Sequence, residues 1–136
     1  MATILNDYEG ELSVRCVHEA SKASVLAQSC IDNFGHKDSF SPTDLVAAAL
    51  GACSLNVMGA YAHAHNIDIT GARAEVSKTT APNLGPITRL EVTFRMPERP
   101  YSAKEKKVLE NCVRTCPVHK SLSADIEQIL TFVWPD

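Results

Sequence analysis

A chain of 136 residues has room for one domain and, once folded, buries roughly two-thirds of the surface it exposes unfolded. Hydrophobic residues make up 45% and charged residues 21%, which excludes wholesale disorder. Thirteen basic and sixteen acidic side chains give a formal net charge of −3 with both signs interspersed, so there is no footprint for nucleic acid or an anionic membrane.

The segment Met1 to Glu11 carries Asp7, Glu9 and Glu11 and no Lys or Arg, unlike the basic start of a secretory signal. Leu12, Val14 and Cys16 alternate with Ser13 and Arg15, the pattern of a half-buried strand. Glu19 to Lys22 reads as a turn and Ser24 to Ser29 as the return strand, which makes an N-terminal hairpin; Cys16 and Cys30 on it read as packing. Asp32 to Ser41 is polar and reads as loop.

A well-signed helix start follows. Ser41 can cap, Pro42 takes the first helical position and Asp44 lies three residues after the cap, so a helix should run to about His65. Leu45 to Ala62 holds 18 residues without a charge, at the threshold for a membrane span. Six of those are Ala and three are Gly or Ser, which fits a buried helix better. Nearly every face of it is apolar, and such a helix must be covered all round. That points to a partner subunit.

Gly71 to Val76 should pair with Arg89 to Met96, where Leu90, Val92, Phe94 and Met96 alternate with charged or polar neighbours. Ser102 and Glu105 form a capping box opening a second helix, whose apolar stripe is Val108, Leu109, Cys112, Val113 and Cys116. A last strand, about Asp125 to Trp134, ends the chain. Strands before, between and after two helices give an α+β class in a single domain, 1–136.

Five cysteines is an odd count spread over the whole chain, unlike a small secreted disulfide scaffold. Reduced thiols in the cytoplasm are therefore expected, with any disulfide catalytic rather than structural. Cys53 lies well inside the first helix among Val46, Ala49, Leu50, Asn56 and Val57. As a buried cysteine it can be a small hydrophobe and nothing more. An ordinary thiol is only ~3% thiolate at neutral pH, and lowering its pKa by two units takes roughly 2.7 kcal/mol. The helix dipole fades beyond the first turn and burial opposes the anion, so a reactive Cys53 needs a cation brought from elsewhere in the fold or from a second chain.

Cys116 precedes Pro117, which disfavours helix in the residue before it and favours a helix start. The helix carrying Cys112 should break there and a new turn begin through Val118, His119, Lys120 and Ser121. Cys116 is then either an N-cap, where a thiolate is favoured with Lys120 and His119 nearby, or a kink residue without chemistry. Cys112, Cys116 and His119 resemble part of a zinc set but lack a fourth ligand, so no metal is expected. His63 and His65 point in different directions on the helix, and Asp44 reads as a cap carboxylate. There is no phosphate loop, G-x-S-x-G or H-E-x-x-H motif, and no cofactor is expected.

The run Ser41-Pro42-Thr43-Asp44-Leu45-Val46-Ala47-Ala48-Ala49-Leu50-Gly51-Ala52-Cys53 resembles the signature helix of the OsmC/Ohr family, the osmotically inducible and organic hydroperoxide resistance proteins. Thr115-Cys116-Pro117-Val118-His119-Lys120-Ser121-Leu122 resembles its second motif, 63 residues on from cysteine to cysteine. The resemblance implies an OsmC-like fold, with antiparallel sheets wrapped around central helices in an intertwined homodimer. It also implies thiol-dependent reduction of organic or inorganic hydroperoxides, with Cys53 peroxidatic and Cys116 resolving. A Cys53–Cys116 disulfide would be reopened by an external dithiol, a lipoylated protein in the organic hydroperoxide branch. Peroxidase members carry a Glu ten residues before the first cysteine, paired with an Arg. Here that position is Thr43, with Asp44 beside it, and Arg15 is a candidate for the Arg where it is not simply a solvent-facing strand residue. The pattern with Thr resembles a branch lacking that Glu. Two functions follow: a thiol peroxidase, or a dimeric small-molecule binding module that kept the scaffold with little turnover.

Overall fold

The computed structural model describes residues 1–29 and 38–135. The expected position of Cys30 and most of the expected loop after Asp32 fall outside them. The chain divides into two compact units, Met1–Val46 and Ala47–Asp136, with the boundary one turn into the long helix.

The first unit holds a meander of three antiparallel strands, β1 (Ile4–Gly10), β2 (Ser13–His18) and β3 (Ser24–Gln28). The hairpin of β2 and β3 closes at the expected turn, where the Lys22 N–H donates to His18 O at 2.7 Å and Lys22 adopts φ 63°. β1 has no counterpart in the sequence reading. Apolar residues fall on both of its faces (Ile4 and Tyr8 on one, Leu5 on the other) and most of the strand is exposed, so it carries no period-two signal. Its turn into β2 takes three successive positive φ values at Gly10, Glu11 and Leu12.

The long helix α1 (Pro42–Ala64) begins where the cap residues put it. Ser41 Oγ accepts from the Asp44 N–H at 3.1 Å, and Asp44 Oδ2 accepts from the Ser41 N–H at 3.0 Å. This is a capping box with Asp in the Glu position, an arrangement worth about 1 kcal/mol. By length and composition α1 could cross a membrane. One face of it is core, through Ala47, Leu50, Gly51, Ser54, Met58 and Ala62. The opposite face, Ala48, Ala52, Asn56 and Ala60, is exposed in the single chain. The helix is therefore dry on one side only within its own subunit.

The second sheet is β4 (Arg73–Thr80), β5 (Ile87–Arg95) and β6 (Glu127–Val133) in that order. β4 and β5 are antiparallel. β5 and β6 are parallel, where antiparallel sheets were expected, because the chain returns to the sheet through a helical crossover. The alternation read from the sequence holds: Leu90, Val92, Phe94 and Met96 are all buried. Phe94 stacks on Phe132 at 4.7 Å between ring centroids. Gly51 of α1 lies close against β4, where a Cβ would meet Val76 Cγ2 at 3.0 Å.

The crossover contains α2 (Ala103–Cys112), one 3₁₀ turn (Val113–Thr115) and α3 (Pro117–Ser121). Ser102 and Glu105 make the expected capping box. α2 is fastened to the end of β6, where Trp134 Nε1–H donates to Glu110 Oε2 at 2.9 Å and Lys106 Nζ sits 5.7 Å over the indole. Leu109 and Val113 are fully buried, which sets the break at Cys116 against the core.

Candidate active site

Two segments 63 residues apart converge on one pair of sulfurs. Cys53 sits mid-way along α1, half-buried, while Cys116 is fully buried at the cap of α3. The break before Pro117 puts Cys116 in extended backbone, φ −60° and ψ 122°, so its side chain turns back over the first turn of α3. Its Sγ accepts the His119 N–H at 3.4 Å. The two thiols are neighbours, close enough for each to act on the other's ionisation.

The two sulfurs differ in their surroundings. Around Cys116, burial works against the anion but is outweighed by its polar neighbours Cys53, His119, Ser54 and Val118, so its pKa falls below the ordinary thiol value. Cys53 moves the other way. Its neighbour Cys116 raises it most, burial and the Cys116 charge add to that, and the Val118 N–H alone opposes them. Burial also raises Cys112, one helical turn before the break.

The remaining residues singled out from the sequence take other places. His119 reaches the sulfur through its backbone, not its ring: the imidazole Nδ1 is hydrogen-bonded to the Gln128 side chain. Asp44 caps α1, and Thr43 Oγ1 lies 3.2 Å from Ser41 Oγ in the same cap. Arg15 stands on β2 in the first unit with its guanidinium 3.6 Å from Glu9. Among the described residues, no cation contributes to the environment of Cys53. Nor, among them, do three His, Cys, Asp or Glu side chains gather as a metal set. His65 stacks on Tyr61, whereas His63 lines a cleft of about 600 Å³ with Leu55, Gly59, Ala62, Asn66 and Ile67.

Ser54 was not singled out by the sequence reading. It is a fully buried polar residue beside Cys53, and its hydroxyl donates to Leu50 O at 2.7 Å. The only signal was one hydroxyl on an otherwise apolar face, and such a residue commonly just bonds back to its own helix.

The OsmC-like protein profile matches residues 35–130. The chain belongs to the OsmC-like protein family. Its fold is shared with a protein of Psychrobacter arcticus 273-4 that is named for osmotic stress induction and a detoxification response, at 32% identity, 98% of this chain, 96% of that one and a TM-score of 0.91. An OsmC-like protein from Mycoplasma pneumoniae has the same fold at 16% identity, 98% and 96% coverage and a TM-score of 0.82. So does the organic hydroperoxide resistance protein OhrB of Bacillus subtilis, at 16% identity, 97% and 98% coverage and a TM-score of 0.66. No curated protein matches the chain.

Proposed function

We propose that this OsmC-like protein is a cytoplasmic, homodimeric thiol peroxidase that reduces organic or inorganic hydroperoxides through Cys53 and Cys116. One observation carries the reading: the two thiols lie close enough to act on each other's ionisation although 63 residues separate them. In the proposed cycle the Cys53 thiolate attacks the O–O bond of the hydroperoxide, its sulfur bonds to one oxygen and the alcohol leaves. The Cys53 sulfenic acid then meets the Cys116 sulfur, a disulfide forms and water is released. An external dithiol reopens it by exchange, and a lipoylated protein is the reductant class the family resemblance suggests. Solved structures of the same fold named for organic hydroperoxide resistance support the direction of this reading.

The homodimer rests on the exposed alanine face of α1, an apolar stripe that a second copy would cover. Small residues there let another backbone approach closely. The cytoplasmic assignment rests on the odd cysteine count and on chemistry that needs reduced thiols.

The cleft beside His63 favours a second reading, in which the same scaffold binds a small molecule and turns over little peroxide. Peroxide consumption in the presence of a dithiol separates the two. The peroxidase reading expects consumption by the native protein and its loss in Cys53→Ser. A native protein that consumes none would leave the binding reading.

A further inference from the structure

Apart from the cysteine pair, residues of the helical crossover and of β6 line a cleft of about 350 Å³. Its character follows from spacing. Lys107 on α2 and Arg114 in the 3₁₀ turn are seven residues apart, two turns of a nearly continuous helix, so they share one face, and both line the cleft. Leu130 and Phe132, which also line it, are alternate residues of β6 and therefore share one face of the strand. One wall thus carries two cations and another is hydrocarbon. Glu110 lines the cleft too, but its Oε2 accepts the Trp134 Nε1–H at 2.9 Å, with Lys106 Nζ 5.7 Å over the same indole. That carboxylate is tied to the end of β6, and the two cations outnumber it. His119 and Gln128 complete the lining and hold each other by two hydrogen bonds, imidazole Nδ1 with Gln128 Oε1 and Gln128 Nε2–H to His119 O at 3.2 Å. This wall is set before any ligand arrives, which lowers the cost of binding. His119 also faces the other site, since its backbone N–H donates to Cys116 Sγ at 3.4 Å.

We propose that this cleft is a binding site for a small organic acid, its carboxylate on Lys107 and Arg114 and its apolar body on Leu130 and Phe132. Charge, surface and size each narrow the class. Two cations select an anion, and a guanidinium offers a carboxylate two parallel N–H donors. The apolar strand face adds affinity in proportion to the hydrocarbon laid on it, which an inorganic anion lacks. The volume is at the lower end of small-molecule sites and suits a ligand of several carbons. The site is made by the crossover and β6 and does not depend on the peroxidase reading. Through His119 it adjoins the cysteine pair, so a single residue stands between the bound acid and Cys116.

Isothermal titration of the native protein with hexanoate, hexanamide and acetate tests the site. Hexanoate has both charge and body, hexanamide lacks the charge, and acetate lacks the body. Hexanoate should bind saturably. Hexanamide should bind at least about tenfold more weakly, the effect of one charge-assisted hydrogen bond. Acetate should also be about tenfold weaker, the effect of burying two of the four methylenes that hexanoate adds. Lys107 and Arg114 are exposed, so the double variant Lys107→Ala, Arg114→Ala should keep its fold by circular dichroism and bind hexanoate at least about tenfold more weakly. Lys104→Ala removes a charge from the same helix outside the cleft and should leave hexanoate binding unchanged. Equal binding of hexanoate and hexanamide would overturn the inference, as would acetate matching hexanoate, an unweakened double variant, or no saturable binding of hexanoate. An equal loss in Lys104→Ala would overturn it as well, because net charge rather than the cleft would then hold the acid. Peroxide consumption does not enter any of these measurements, so this inference and the peroxidase reading can fail separately.

Discussion

The two sheets of this chain treat their apolar residues in opposite ways. In β4–β6, Leu90, Val92 and Phe94 are 0–1% exposed and pack with residues of the helices in one core. In β1–β3, Ile4 and Tyr8 are 57% and 66% exposed, and an open apolar hollow is lined by Ile4, Cys16, Val17 and Val25. The exposed alanine face of α1 belongs with the second group. The first region has found its cover inside its own subunit and the second has not. Apolar surface left open in this way marks a contact site, and it is where the proposed homodimer would close.

Substitutions in the two regions should therefore fail differently. The largest effect is expected from Ala48→Glu. The position is exposed in the single chain, so its own core should survive while a charge is placed in the proposed subunit contact, where burial without a partner costs several kcal/mol. Size-exclusion chromatography with light scattering should then show a folded monomer, and an unchanged dimer would break the comparison. Phe94→Ala removes a fully buried ring stacked on Phe132 and should cost about 3–5 kcal/mol in denaturant unfolding, whatever the assembly state. Gly51→Leu drives a side chain into Val76, 3.0 Å from where a Cβ would sit, and should cost about 1–3 kcal/mol by the same measurement. The smallest effect is expected from Tyr8→Ala. In the dissociated Ala48→Glu background it should change stability by less than about 0.5 kcal/mol, as exposed positions do. A larger loss in the dimer than in that background would sharpen the contrast, and equal losses would remove it.

What the sequence disclosed follows the range of the forces involved. Helix starts were legible at Ser41 and Ser102 because a capping box is settled within four residues. The break at Cys116 was legible because proline acts on its immediate neighbour. The inward face of β5 followed from strict alternation. β1 escaped because a strand exposed on both faces has no pattern to read, and the parallel pairing of β6 escaped because a crossover, not local sequence, decides it. The site was half legible. Each cysteine could be found and weighed by itself, but no spacing rule brings residue 53 to residue 116; only the family resemblance placed them in one mechanism.

The account depends on Cys53 and Cys116 forming one redox unit, and mass spectrometry of the native protein after one equivalent of a hydroperoxide tests that most directly. The expected product has lost two hydrogens and yields a proteolytic peptide linking Cys53 to Cys116. A sulfenic or sulfinic acid persisting on Cys53, with Cys116 still open to alkylation after unfolding, would contradict it.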